Sequence, residues 1–279
     1  MAETALVQPS SLTDPLERLA AQFGAGQTVL NGWLHLPGGV SAEVMGRAGY
    51  DSLTIDLQHG LIGDGGLVAS LQAIAATGAA PLVRVPWLHP PDLMRALDAG
   101  AGGIICPMIE TAEQAQALVH ACRYPPQGGR SYGPTRAALL YPDYLARAQT
   151  RILVFAMVET RLGLTNLEAI LDTPGLSGIY VGPGDLRLSL TGQAGLDFTQ
   201  APVSAAVDLI ARETRRRGKV AGIFTQGGAL AREAMSRGYQ LVTAGSDLAL
   251  LGAAARETVR ALRGQEQTGP TPALTPSGY

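Results

Sequence analysis

The sequence of 279 residues predicts a single (β/α)8 barrel of parallel strands. Three observations carry this expectation. Eight short apolar runs alternate with longer segments of helical periodicity, so that each expected strand is followed by an expected helix. The runs are apolar almost throughout, as strands buried on both faces require. No GxGxxG follows the first run, where a doubly wound dinucleotide-binding sheet would usually carry it.

Taken in order, the first strand is expected over 28–34 (TVLNGWL), with helical spacing over 40–48 and Ser41 as a cap. The second strand covers 52–57 (SLTIDL) and leads to a helix over 65–76 introduced by Asp64. The third, 81–85 (PLVRV), precedes a helix over 91–99, and the fourth, 103–107 (GIICP), one over 111–122 capped by Thr111. The fifth strand is placed at 152–158 (ILVFAMV), the sixth at 177–182 (SGIYVG), and their helices at 165–172 and 200–217. The seventh, 219–224 (KVAGIF), and the eighth, 240–244 (QLVTA), lead to helices at 227–237 and 246–263, the last capped by Ser246. The barrel, with an N-terminal helix, is expected to occupy 1–263. A Pro- and Gly-rich tail, 264–279, remains as a mobile end or an arm reaching a neighbouring subunit. The stretch 123–150 is longer than a usual helix-to-strand connection and reads as an ordered loop or a lid.

Composition narrows the function. With 46% hydrophobic and 16% charged residues the chain is that of a globular enzyme. A net charge of −2 gives no broad basic field for nucleic acid or anionic lipid. Cys106 and Cys122 lack CxxC spacing, nothing resembles a secretory leader, and no apolar run is long enough to span a bilayer, so a soluble, cytoplasmic protein is expected.

In such a barrel the reacting groups stand at the C-terminal ends of the strands. Asp56 and His59 fall after the second strand, Arg84 in the third, Glu159 after the fifth and Asp185 after the sixth. Glu159 and Asp185 end consecutive strands, and two carboxylates without neighbouring Cys or His suit a hard divalent cation such as Mg2+ or Mn2+. Two protein ligands leave positions open for a 2-oxo acid; the alternative is a pair of solvated carboxylates at loop starts. Arg84 lies in an apolar strand and must meet an anion, either an enolate oxygen or a structural partner such as Asp56. His59, three residues after Asp56, is a candidate general base, although a loop histidine is more often structural. His35 could line the mouth, whereas His89 and His120 look like helix residues.

The single lysine, Lys219, opens the seventh strand and so points to the opposite end of the barrel. That excludes a Schiff-base mechanism, and carbanion chemistry would need a metal. The GPGD turn, Gly182 to Asp185, offers backbone N–H groups beside the carboxylate pair. Thr225 to Gly228 could bind an anion but read more simply as a turn. Trp87, Met108 and Leu186 are candidate pocket walls.

IDLQHG (55–60), LVRVPW (82–87), ALDAG with ICPMI (96–109), ACRYPPQGGRSYGPTRA (121–137), VETRLGLTNL (158–167) and GPGDLRLSLTG (182–192) together make the chain resemble the HpcH/HpaI class II pyruvate aldolases. The resemblance covers nearly the whole chain and implies a barrel of the phosphoenolpyruvate/pyruvate type. It also implies a divalent metal (Mg2+, Mn2+ or Co2+) held by Glu159 and Asp185, with pyruvate chelated to it and the pyruvate carboxylate on the Gly184 and Asp185 amides. His59, oriented by Asp56, would then be the base, and Arg84 would steady the enolate. The implied partners are pyruvate and an aldehyde, and the implied assembly is a homo-oligomer, usually a hexamer with exchanged C-terminal helices. Two departures stand out. Met157 occupies a position where the best-known members carry Gln, and LQH replaces GEH, so that Gln58 could reach the metal waters. A lyase or synthase acting on an acyl-CoA or oxaloacetate enolate is the alternative enzyme reading, with Arg130 and Arg136 as the few basic groups expected near the mouth. A catalytically silent binding barrel is the third.

Overall fold

The computed structural model describes residues 14–263; the expected tail at 264–279 lies outside them. The first elements are α1 (Pro15–Gly24), β1 (Val29–Leu34), α2 (Gly39–Arg47), β2 (Ser52–Asp56), α3 (Asp64–Ala75), β3 (Ala80–Arg84), α4 (Pro90–Asp98) and β4 (Gly103–Cys106). Next come α5 (Ala112–Cys122), α6 (Thr135–Leu140), α7 (Tyr144–Thr150), β5 (Leu153–Met157), α8 (Arg161–Thr165), α9 (Leu167–Leu171) and β6 (Gly178–Val181). The chain continues through α10 (Pro183–Thr191), α11 (Val203–Arg216), β7 (Val220–Thr225), α12 (Gly228–Ser236), β8 (Leu241–Ser246) and α13 (Asp247–Leu262). All eight strands are parallel and pair in chain order, and β8 pairs back onto β1 to close the barrel.

Closure divides the apolar residues into two cores. Alternate strand residues point to the barrel axis, where Trp33, Leu82, Ile105, Phe155, Met157, Tyr180 and Leu241 pack together. The intervening residues, such as Ile55, Val83, Ile104, Val154, Ile179 and Val242, pack in the outer core with the helices. Inside the barrel Trp33 stacks on Tyr180 at 5.6 Å and meets Phe224 edge-on at 5.4 Å. Beneath it Asn31 donates to Thr54 and Thr243 at 2.9 and 2.7 Å and accepts from Ser52 at 2.8 Å. This satisfies a polar layer that would otherwise cost about 1–3 kcal/mol per unpaired group.

Local sequence explains most boundaries and some departures from expectation. Thr111 caps α5 in a reciprocal capping box with Gln114, and Ser246 caps α13. Ser41 is not a cap: Gly38 is the N-cap of α2, and the Ser41 hydroxyl donates to Asp247 at 2.6 Å instead. Asp64 likewise stands inside the first turn of α3, after Gly63. The helix expected over 165–172 is broken at Asn166 into α8 and α9. The GPGD turn opens α10, with Pro183 in the first turn, where its missing N–H costs nothing, and left-handed Gly192 closing it.

The stretch 123–150 is ordered but is not a lid over the mouth. It joins α5 to β5, and a helix-to-strand connection in a parallel barrel lies at the N-terminal ends of the strands, opposite the mouth. There it folds into α6 and α7, with Arg123 donating to Ala148 and Ile152 carbonyls at 2.8 Å each. Arg130 donates to Asp98 and Tyr144, and Arg136 to the Ala99 carbonyl. Both arginines therefore sit at the far end of the barrel, not near the mouth. Lys219 stands at that end too, with its ammonium 2.6 Å from the Leu176 carbonyl oxygen. No described helix is long and apolar enough to cross a membrane.

Candidate active site

Strand parity assembles the mouth. The inward series of β1, Asn31 and Trp33, continues to His35; that of β2, Thr54, ends at Asp56; that of β3, Leu82, ends at Arg84. From β5, Phe155 and Met157 lead to Glu159, and from β6 Tyr180 leads to Gly182. These ends surround a cavity of about 350 Å3 that is lined by His35, His59, Arg84, Glu159, Gly184 and Asp185, among others.

Asp56 is the hub of one wall. It pairs in register with Arg84 on the neighbouring strand, and the guanidinium grips its carboxylate through Nε at 2.8 Å and Nη2 at 2.6 Å. Trp33 Nε1 donates to the same carboxylate at 3.1 Å, and His35 Nε2 lies 2.9 Å from it. Burial alone would raise the Asp56 pKa, but the hydrogen bonds from His35 and Arg84 and the guanidinium charge hold it well below the usual carboxylate range. Asp56 reaches His59 through the main chain, accepting its backbone N–H at 3.2 Å. His59 is exposed at the rim of the mouth; partial desolvation, then the nearby Arg84 charge, lower its pKa against the pull of Asp56 and Asp185. It is therefore held as the neutral base at neutral pH.

Glu159 forms the opposite wall and is buried. Its Oε1 accepts the Met108 backbone N–H at 3.0 Å, for which Met108 takes a left-handed φ of 57°. Its Oε2 is buried without a hydrogen-bond partner. Burial, with the Asp185 charge second, pushes Glu159 up to about 8. A Cβ on Gly182 would collide with Oε2, so a glycine is required where the carboxylate lies across the start of α10. Asp185 belongs to the first turn of that helix, whose N–H groups have no intrahelical acceptor and attract anions. Among the described residues no group of three or more His, Cys, Asp or Glu is clustered as a metal site. What the mouth offers a cation is this carboxylate pair.

His59, Asp56, Arg84, Glu159, Gly184 and Asp185, all legible in the sequence, thus converge. Trp87 does not join them: the turn after β3 carries it past the cavity, and its side chain is 53% exposed. Met108 contributes its backbone rather than a wall. Leu186 is fully buried in the outer core, and the apolar lining comes instead from Leu196, Phe224, Leu248 and Ala249. Gln58 is not among the lining residues, while Gln226 is. His35, which the sequence offers as a possible mouth residue, lines the cavity, as its parity with Asn31 and Trp33 implies. Met157 packs its terminal methyl beneath Gly182, so the floor under Glu159 is apolar.

Comparison with known proteins agrees with this fold. Residues 32–254 match the family model described as HpcH/HpaI aldolase/citrate lyase. The chain belongs to this family. It is 41% identical over 245 residues to a hydroxypyruvate/pyruvate aldolase of Rhizorhabdus wittichii, covering 88% of this chain and 98% of the relative. With a 4-hydroxy-2-oxo-heptane-1,7-dioate aldolase of Escherichia coli it shares 34% identity over 258 residues, 91% of this chain and 97% of that protein. The crystal structure of an HpcH/HpaI aldolase/citrate lyase family protein from Burkholderia cenocepacia J2315 superposes with a TM-score of 0.82 at 33% identity. It covers 88% of this chain and 99% of that one. Among these relatives the barrel is shared over nearly its full length, so the mouth, rather than an added domain, must account for any difference in substrate.

Proposed function

We propose that this carbon–carbon lyase is a divalent-metal-dependent aldolase that reversibly cleaves 4-hydroxy-2-oxo acids to pyruvate and an aldehyde. The observation that carries the reading is the unpartnered, buried Oε2 of Glu159 beside Asp185, facing a cavity whose other wall holds Arg84 and two imidazoles. The names of the relatives, both aldolases, point the same way.

The donor set fits a hard cation: two carboxylates, one of them desolvated and acceptor-only when ionised, with no soft ligand among them. Glu159 and Asp185 would hold Mg2+, Mn2+ or Co2+, which when bound supplies Lewis-acid charge to the 2-oxo group. The first-turn amides of Gly184 and Asp185 hold the substrate carboxylate. The neutral imidazole of His59 takes the proton of the 4-hydroxyl as the C3–C4 bond breaks, which releases the aldehyde. Arg84, fixed by its two bonds to Asp56, places positive charge where the C2 oxygen gains electrons. The imidazolium of His59 then returns its proton to C3, leaving pyruvate.

A homo-oligomer belongs to the same reading, supported by α13, on which Leu251 and Leu262 are 61% and 84% exposed, and a cytoplasmic location is proposed with it. The acyl-CoA alternative loses its support, since Arg130 and Arg136 bind the opposite end of the barrel. Glu159→Ala and Asp185→Ala test the proposal: each should abolish metal-dependent pyruvate release. Full activity of either variant, or of the chelated enzyme, would remove the metal from the mechanism.

A further inference from the structure

The cavity has a second half that the charged cluster does not use. Its walls come from the loop after α10 and from the ends of β7 and β8: Leu196, Phe224, Leu248 and Ala249, with the neutral amide of Gln226 between them. Leu196 stands next to the first turn of α10, its Cδ2 only 3.4 Å from where a Cβ of Gly184 would lie. A substrate whose carboxylate rests on those amides begins beside Leu196, and its remaining atoms share a cavity whose lining here continues with Phe224, Leu248 and Ala249. At roughly 30 Å3 per water-sized group, the cavity of about 350 Å3 has room for on the order of ten non-hydrogen atoms. Pyruvate has six, so the acceptor has several atoms of space.

Charge on this side is neutral. Arg84 is the one arginine that lines the cavity among the described residues, and it is engaged with Asp56. Neighbouring arginines turn elsewhere: Arg161 donates to the Leu190 carbonyl, and Arg187 to Asp197 and Gln193. The guanidinium of Arg232 approaches Gly228 on the rim but is outside the lining. Residues 1–13 and 264–279 contain no lysine or arginine. A carboxylate brought against these walls would lose its hydration without gaining a cationic partner, since the polar groups beside them, Gln226 and Ser246, are neutral.

Resting on the aldolase reading, we propose that this half is the aldehyde subsite and selects uncharged aldehydes with an apolar body over those bearing a second carboxylate, with Leu196 and Leu248 as specificity residues. The test compares kcat/KM for two 4-hydroxy-2-oxo acids of equal chain length, one ending in methyl and one in carboxylate, with Mn2+ present. The methyl-ended substrate should be preferred by at least ~10-fold, the scale expected for an unpaired buried anion. Leu196→Arg and Leu248→Arg, on separate segments, should each shift that ratio by about 10-fold or more towards the carboxylate.

A wild-type preference for the carboxylate-ended substrate would overturn the inference, most directly if Arg232→Ala removed it. An unchanged ratio in both variants, with circular dichroism showing them folded, would overturn it as well. Cleavage of neither substrate is a different result, because it would overturn the aldolase reading and this inference with it.

Discussion

Replacing Glu159 with Gln should make the metal-free protein more stable at alkaline pH while abolishing turnover. The wild-type carboxyl is buried, and its pKa is raised from 4.5 to about 8. The sign follows from linkage: between those two values the folded state holds a proton that the unfolded state has released, so stability falls as pH rises from about 4.5 to about 8. Above that window the folded protein carries an uncompensated buried charge. At about 1.4 kcal/mol per pKa unit the loss is a few kcal/mol, and at roughly 2–4 °C per kcal/mol for a domain of this size it should exceed ~5 °C. Gln keeps an acceptor for the Met108 N–H and carries no charge. Thermal unfolding followed by circular dichroism in EDTA should give Tm values that nearly coincide at about pH 4, below the window, with the variant higher at pH 8.5. Mn2+ should then raise the wild-type Tm and leave that of the variant unchanged. A Tm difference independent of pH, or an equal response of both proteins to Mn2+, would refute the reasoning.

Other predictions follow from the same geometry. His59→Asn should reduce kcat/KM by about 10²–10⁴, and the wild-type acid limb should lie below pH 6.5 because the imidazole is held neutral by partial desolvation and by Arg84. A limb above pH 6.5 would assign the base elsewhere. Gly182→Ala should lower metal affinity, measured by calorimetry, with little loss of fold, since its φ of −96° suits alanine while the new methyl displaces Glu159 Oε2. Arg84→Ala leaves the Asp56 carboxylate buried without its bidentate partner and should destabilise the protein by about 3–5 kcal/mol in denaturant titration. The same change removes a charge that lowers the His59 pKa, so the NMR titration of His59 should move to higher pH.

Much of this was legible in the sequence because it is periodic or local. Eight apolar runs each became a strand, and the residues at their ends, Asp56, Arg84 and Glu159, followed from parity and position. The capping box at Thr111 was equally local. What was missed depends on contacts between distant segments. Helix α10 hides behind a Pro-Gly start that reads as a turn, and it is this helix that carries Asp185. The role of His35 depends on its 2.9 Å contact with Asp56 on the neighbouring strand, which sequence spacing does not show. Asp247 fixes that histidine from the other end of the chain, accepting its backbone N–H at 2.8 Å, a contact across 212 residues that no local pattern announces. Trp87 and Leu186 show the converse: an apolar residue near a strand end has two or more ways to turn, and only packing decides between them. The stretch 123–150 was misplaced in part because its aromatic and glycine content suggested a lid, whereas the direction of the connection puts it at the opposite end of the barrel.

Pyruvate release from a 4-hydroxy-2-oxo acid, coupled to lactate dehydrogenase, in EDTA and after adding back Mg2+, Mn2+ or Co2+, decides whether this chain is a metal-dependent aldolase. A metal-dependent aldolase should give no release in EDTA, recovery with at least one of the three ions, and no recovery in Glu159→Gln. Undiminished release in EDTA, or metal-dependent release by the Gln variant at the wild-type rate, would contradict it.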